Sequence, residues 1–196
     1  MHPQLLRIRR DLEAARDLYE ALLNNETLIH ELAVVTEVVI QTLVSGGKIL
    51  LAGNGGSAAD AQHMAAEYVG RFAYDRKALP AIALTTDSSI LTAVSNDYGY
   101  DQVFARQVAA LGNRGDLLMV YSTSGSSPNI LRALEAARSA GLTRVGFGGQ
   151  PGGAMAPLCE YLLKVPSTET PRIQEGHLLF GHIICGAAEA ALFPGT

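Results

Sequence analysis

The sequence predicts an α/β protein with a doubly wound, five-stranded parallel sheet, and three observations support this fold class. Short apolar strands alternate with helical segments from residue 47 onward. The strands are nearly continuous apolar runs, as expected when helices cover both faces of a sheet. Loops rich in glycine or serine follow two of the strands, and in doubly wound sheets ligands bind at this carboxyl edge.

Two amphipathic helices precede the first strand. Apolar residues recur at helical spacing over 5–22 and again over 29–43. One sheet with its own helices cannot cover both apolar faces, so we expect the pair to pack against the same helices of another subunit. The alternative is that the pair caps one face of the monomer. The apolar residues of the first helix are Leu5, Ile8, Leu12, Ala15, Leu18 and Leu22.

Five units of strand and helix follow the helix pair. We predict strands over 48–52, 81–84, 117–121, 144–147 and 161–165. We predict that the helices after them begin at Ser57, Ser88, Ser127, near Ala154 and at about Pro171, and that the last one ends near Leu192. This order indicates a flavodoxin-like sheet. The length of the chain favours one domain over 1–196, with the helix pair at 1–46 and the α/β core at 47–196.

Composition excludes several classes of function. The net charge is −4 and there is no run of lysine and arginine, so we expect no nucleic acid as a partner. The apolar stretches are strand-sized and the first residues are charged, which predicts a cytoplasmic protein without a membrane segment. Cys159 and Cys185 share no metal-ligand spacing, and we expect them to be buried as small apolar residues rather than joined in a disulfide.

The two loops predict a phosphorylated ligand. GNGGSAAD follows the first strand and STSGSSPN follows the third. A strand, a loop of small residues and a helix in this order direct backbone N–H groups, hydroxyls and the helix dipole to one point, which favours an anion. The first loop also matches the dinucleotide pattern G-x-G-x-x-A, but the acidic residue expected about 20 positions later is absent. The hydroxyls of the second loop belong to Ser122, Thr123, Ser124, Ser126 and Ser127.

Four side chains predict a metal site of nitrogen and oxygen ligands, with zinc as the first choice. His63 and Glu67 are four residues apart on the helix after the first loop and therefore share a face. Gln174 and His182 lie eight residues apart on the last helix, which is roughly 12 Å along its axis. One copy of that helix can hardly place both on one ion. Either Gln174 reaches in from a loose first turn, or the site combines residues from two subunits.

The chain resembles the sugar-isomerase (SIS) domain family, and more closely its bacterial phosphoheptose isomerase branch. The resemblance rests on AGNGGSAADAQHMAAE, LTTDSSILTAVSNDYGYDQVFARQV, YSTSGSSPNIL and TPRIQEGHLLFGHIICG, in this order along the chain. It implies a homotetramer with active sites between subunits. It implies zinc at His63, Glu67, Gln174 and His182, with Glu67 and His182 as the acid–base pair. It implies substrate contacts at Asn54, Gly55, Gly56, Glu67, Asn96, Asp97, Ser122, Thr123, Ser124, Ser127 and Gln174.

The activity implied by the resemblance is the isomerisation of D-sedoheptulose 7-phosphate to D-glycero-D-manno-heptose 7-phosphate, an early step toward nucleotide-activated heptoses. The alternative is a non-catalytic SIS module that binds a sugar phosphate or the replication initiator protein. The initiator-binding branch lacks the glutamate at the position of Glu67 and has an altered serine loop. This sequence has both features, so we expect an enzyme.

Overall fold

The computed structural model describes residues 2–194 and confirms the five-stranded parallel sheet, with strand order β2-β1-β3-β4-β5. The order reverses between β1 and β3, so the two loops predicted to bind phosphate lie at the switch point. The strands are β1 (Ile49–Gly53), β2 (Ala81–Ala83), β3 (Leu117–Ser122), β4 (Thr143–Gly148) and β5 (Tyr161–Lys164). The helices are α1 (Pro3–Leu23), α2 (Glu26–Val44), α3 (Gly56–Val69), α4 (Ser88–Tyr98), α5 (Val103–Leu111), α6 (Pro128–Ala140) and α7 (Thr170–Leu192).

Helices cover both faces of the sheet. Alternate residues along each strand point to opposite faces, so Leu51, Met119 and Phe147 pack in the core beneath α2, α3 and α7. Leu50 and Leu118 belong to the core on the other face, beneath α5 and α6. Strands β1 and β3 are buried along their whole length, which explains why their sequences are apolar without interruption.

The sequence predicts one helix between β2 and β3, and the structure corrects this to two. Helix α4 ends at Tyr98 because Gly99 adopts a left-handed conformation with φ of +93°. A short 3₁₀ helix at Tyr100–Gln102 then leads into α5. No residue of α4, which the structure describes completely, is buried. Helix α5 contributes the buried residues Val103, Phe104 and Val108 to the core, whereas α4 lies at the surface and only half-buries Leu91 and Val94 against it.

Helix α2 corrects the expectation that every apolar stretch is strand-sized. Over Glu26–Val44 its length and mean hydropathy of 1.5 would suffice for a membrane span. Helices in the cores of soluble proteins meet the same criterion, and α2 buries Leu28, Leu32, Val35 and Val39 inside the fold. The apolar composition of α2 is therefore explained by packing against α7 and β5.

Helix α1 is only partly covered by the rest of the chain. Leu18 and Leu22 are buried, whereas Leu5, Ile8 and Leu12 are 57%, 54% and 68% exposed. The first three turns of α1 therefore present an apolar face to solvent. Helix α2 and the end of α1 do cover one face of the monomer, as one alternative expects. The first three turns of α1 cover nothing within the single chain.

Candidate active site

The side chains of His63, Glu67 and His182 form one cluster between α3 and α7. Nε2 of His63 lies 3.0 Å from Oε1 of Glu67, as the four-residue spacing on one helix predicted. Nε2 of His182 lies 3.3 Å from Nε2 of His63. One ligand atom from each of the three side chains lies within 4.8 Å of the others. We call this cluster the His–Glu–His trio.

Close packing of two parallel helices brings the trio together. The start of α3 lies beside the second turn of α7, where Gly56 faces Gln174. Seven residues further along α7, Gly181 faces Met64, and a Cβ atom at this glycine would come 2.4 Å from the sulfur of Met64. A larger residue at this position would force the side chain of Met64 to move, so glycine is what allows the close approach seen here. The adjacent residue, His182, is thereby held next to His63.

The trio fits a divalent metal ion. Nitrogen and oxygen ligands about 2.0–2.2 Å from a tetrahedral zinc ion are separated from each other by roughly 3.3 Å, close to the 3.0 and 3.3 Å found here. A single proton on Nε2 of His63 cannot serve both the Glu67 carboxylate and the His182 nitrogen. A cation among the three atoms would satisfy all of them at once.

Gln174 lies apart from the trio within one chain. Its amide nitrogen would be 2.2 Å from a Cβ atom added at Gly56, so it sits against the loop after β1. Helix α7 begins at Thr170 and is regular at Gln174. The loose first turn that one alternative requires is not found in α7. The other alternative, a site built from two subunits, stays a prediction.

The serine loop follows β3 and is organised around Gly125. The backbone N–H of Gly125 donates to Oγ of Ser122, which is buried and shapes the turn. Ser124 is exposed, and its Oγ accepts from the N–H of Ser126. Helix α6 begins at Pro128, one residue after the predicted start, and Ser127 is its N-cap residue, but the hydroxyl of Ser127 makes no capping hydrogen bond. This hydroxyl and the start of α6 are available to an anion.

A pair of amides joins the two loops and was missed by the sequence analysis. Nδ2 of Asn54 donates to Oδ1 of Asn129 at 2.9 Å, and Nδ2 of Asn129 donates back to Oδ1 of Asn54 at 2.8 Å. The hydroxyl of Tyr100 also donates to Oδ1 of Asn54, at 3.3 Å. Asn129 follows Ser127 and Pro128 in the first turn of a helix, and this position was the available signal. The side chains of Asn96 and Asp97 are exposed and hydrogen-bonded to each other.

Two titratable side chains near these elements have shifted pKa values. Burial raises the pKa of Asp60 on α3 to about 6, although the imidazole of His63, one turn away, opposes the shift. Burial lowers the pKa of His177 on α7 to about 4, and the backbone of Gly148 offsets only part of this effect. His177 is fully buried and neutral at pH 7, and is a core residue.

Comparison with known proteins identifies the family. Residues 12–149 match the family model described as the SIS domain. A phosphoheptose isomerase from Burkholderia pseudomallei is 56% identical over 190 residues, which cover 97% of this chain and 96% of that relative. The chain belongs to the SIS domain family and, within it, to the phosphoheptose isomerases. As a member of the phosphoheptose isomerase family it is an enzyme, and the resemblance seen in the sequence is confirmed.

Solved structures of phosphoheptose isomerases have the same fold. The enzyme GmhA from Neisseria gonorrhoeae is 40% identical, with a TM-score of 0.90 over 95% of this chain and 99% of that one. A phosphoheptose isomerase from Francisella tularensis is 38% identical, with a TM-score of 0.91 over 94% and 97% of the two chains. Helix α7, which carries His182, lies beyond the residues matched by the SIS domain model.

Proposed function

We propose that the site between α3 and α7 interconverts D-sedoheptulose 7-phosphate and D-glycero-D-manno-heptose 7-phosphate in heptose biosynthesis, and that Glu67 and His182 carry the protons. The observation that carries the proposal is the convergence of a carboxylate and two imidazoles within 4.8 Å, in a chain of the phosphoheptose isomerase family. A non-catalytic sugar-phosphate module would have no need of this convergence.

The proposed chemistry is an aldose–ketose isomerisation through an enediol. A base takes a proton from C1 of the ketose and returns one to C2, and an acid moves a proton between the two oxygens. Glu67 is the carbon base, since a carboxylate accepts and returns a proton at one position. His182 serves the oxygens through its second ring nitrogen, Nδ1, since Nε2 is the nitrogen that belongs to the trio.

The serine loop is the proposed phosphate site. Ser122, Thr123, Ser124 and Ser127 lie at the carboxyl end of β3 and the start of α6, where a helix N-terminus favours an anion. Binding energy from the distant phosphate then positions the reacting carbons beside Glu67. The remaining proposed substrate contacts are Asn54, Gly55, Gly56, Asn96, Asp97 and Gln174.

We propose Zn²⁺ as the cation of the site. His63, Glu67 and His182 supply the nitrogen and oxygen donors that zinc prefers, and we assign the fourth protein ligand to Gln174 of the partner subunit. When bound, zinc would act as a Lewis acid on the carbonyl and enediolate oxygens. A cation on Glu67 would also stabilise the ionised carboxylate and make it a weaker base. We therefore propose that the C1 proton is accepted by the carboxylate oxygen that is turned toward the substrate.

Turnover of defined sugar phosphates tests the function. We expect purified protein to convert D-sedoheptulose 7-phosphate to the aldose, with fructose 6-phosphate and arabinose 5-phosphate converted far more slowly. The measurement is product formation by chromatography with mass detection. Absence of turnover on all ketose phosphates would contradict the enzymatic proposal and favour the binding module.

The path of hydrogen distinguishes Glu67 as a base from a direct hydride shift. If Glu67 takes the C1 proton, that proton exchanges with water before it is returned, so aldose formed in D₂O should carry deuterium at C2. A hydride shift moves hydrogen between carbons without exchange. Proton NMR of product at low conversion measures the deuterium. Product free of deuterium at C2 would count against Glu67 as the proton carrier.

We propose that four chains assemble through the apolar face of α1. Five residues on one face of this helix are exposed in the single chain, and they form the α1 stripe: Leu5, Ile8, Leu12, Tyr19 and Leu23. A stripe of this length is typical of an interface. An active site shared between subunits would also explain how Gln174 contributes to the metal site.

Charging the α1 stripe should dissociate the assembly. We expect the wild type to have the mass of four 20.7 kDa chains in light scattering, and the double variant Ile8→Asp, Leu12→Asp to form smaller species with reduced activity. Leu6→Asp is the matched control, because Leu6 is equally exposed on the opposite face of α1. A fully active monomeric wild type would contradict the proposal.

We also propose a cytoplasmic location. Both cysteines are free thiols, as expected in a reducing compartment. Burial raises the pKa of Cys159 and of Cys185 to about 12, so both thiols stay protonated and unreactive at pH 7. Cys185 is buried, as the sequence predicts, whereas Cys159 is only partly buried.

A further inference from the structure

A buried ion pair joins α7 to the loop that follows α3. Nε of Arg76 lies 2.8 Å from Oε1 of Glu189, and the two side chains are 0% and 1% exposed. Burying two charges is costly unless hydrogen bonds satisfy the remaining polar atoms. Here the remaining donors and acceptors bind the backbone on both sides of the pair, and these contacts lead toward the His–Glu–His trio.

The guanidinium of Arg76 caps the end of α3. Its terminal nitrogens donate to the main-chain carbonyls of Glu67 at 2.7 Å, Tyr68 at 2.6 Å and Gly70 at 3.3 Å. Carbonyls in the last turn of a helix lack partners within the helix, and a cation at this end is favoured by the helix dipole. Arg76 therefore fixes the backbone of Glu67 itself.

The carboxylate of Glu189 holds the loop beside His182. Its two oxygens accept from the backbone N–H groups of Phe72 at 2.9 Å and Ala73 at 2.7 Å. The ring of Phe72 lies 5.6 Å from the imidazole of His182, centroid to centroid. It also fills the space over Gly186, where a Cβ atom would come 2.9 Å from the ring. Glu189 thus supports the imidazole of His182 through Phe72.

We propose that Arg76 and Glu189 are positioning residues for the isomerisation. Arg76 fixes the position of Glu67 by a hydrogen bond to the main-chain carbonyl of Glu67. Glu189 fixes the orientation of His182 through the ring of Phe72. Together they fix the separation of the two groups that exchange protons with the substrate. The inference rests on the roles given to Glu67 and His182 above. A displacement of about 1 Å in such groups lowers rates by up to about 100-fold.

Two conservative substitutions test the pair against a matched control. Glu189→Gln replaces the charged acceptor of the loop N–H groups with a neutral one. Arg76→Lys removes the guanidinium nitrogens that donate to the carbonyls at the end of α3. The control is Asp116→Asn: this carboxylate is 5% exposed, pairs with Lys48, and accepts from the N–H groups of Lys48 and Asn113. It lies before β3, at the opposite edge of the sheet from the serine loop.

We expect all three variants to unfold at lower temperature. Per folded molecule, Glu189→Gln and Arg76→Lys should lower kcat at least tenfold with KM within twofold of the wild type, because the serine loop is not displaced. Asp116→Asn should leave kcat and KM unchanged. Equal kcat in Glu189→Gln and Asp116→Asn would overturn the inference.

Two further measurements extend the test, and the second of them does not depend on activity. Phe72→Leu leaves the ion pair intact and should lower kcat about tenfold if the ring orients His182, and an unchanged kcat would overturn that part of the inference. NMR of the His182 ring should show a displaced Cε1–Hε1 signal in Glu189→Gln but not in Asp116→Asn. The NMR comparison holds even if the wild type turns over no heptose phosphate, an outcome that would refute the proposed function alone.

Discussion

Replacing Glu67 with glutamine should lower turnover of sedoheptulose 7-phosphate by about 100-fold or more, the scale of a lost general base. Glutamine has nearly the same shape but cannot accept a proton at neutral pH. Because the side chain of Glu67 is 24% exposed and belongs to no buried ion pair, the fold should be retained. Initial rates over a range of substrate concentrations should show a lower kcat with little change in KM.

The matched control for this variant is Glu135→Gln on α6. Glu135 is exposed and paired with Arg132 at the surface, so its replacement should change neither rate nor unfolding temperature measurably. Glu67→Gln protein that turns over substrate as fast as the control would remove Glu67 from the mechanism. It would leave the trio with a role in binding an ion only.

Replacing Gly125 with alanine should raise KM at least tenfold and lower the unfolding temperature. Gly125 has φ of +62°, and a Cβ atom there would come 2.1 Å from the carbonyl oxygen of Gly152. The left-handed conformation and this clash with backbone together cost about 1–3 kcal/mol. The serine loop must then move away from the Gly152 turn, which displaces the hydroxyls of Thr123 and Ser124. Substrate-dependent rates and thermal unfolding measure the two effects.

The matched control for the loop is Gly46→Ala. Gly46 also has a left-handed φ, of +81°, but a Cβ atom at this position meets nothing within 4 Å. The Gly46→Ala variant should lose only the stability that the left-handed backbone conformation costs an alanine, and its KM should be unchanged. If Gly125→Ala also leaves KM unchanged while lowering stability, the serine loop does not bind the phosphate.

The fold could be predicted from the sequence because its main determinants are local. Strands buried on both faces are apolar without interruption, as in β1 and β3, and the spacing of apolar residues marks the helices on either side. The pairing of His63 with Glu67 was predictable for the same reason, since the period of a helix places both on one face. Each of these inferences depends only on residues that are close together in the sequence.

Contacts between distant parts of the chain could not be predicted in this way. Asn54 and Asn129 are joined by two hydrogen bonds across 75 residues, and Arg76 and Glu189 pair across 113 residues. A single sequence carries no signal for such partners. The end of α4 at Gly99 could not be predicted, because a single glycine is tolerated inside many helices. Only the positive φ of Gly99 shows that the helix ends there.

The parallel packing of α3 against α7 joins two separate parts of the chain in one cluster. Strands β1 to β4 and the serine loop lie within residues 12–149, the part matched by the SIS domain model, and so do His63 and Glu67. His182 comes from α7, beyond those residues. The proposed phosphate anchor and the proposed carbon base are therefore encoded in one stretch of the gene, and the third member of the trio in another. A change on the inner face of α7 can alter the trio while the proposed anchor for the phosphate stays intact.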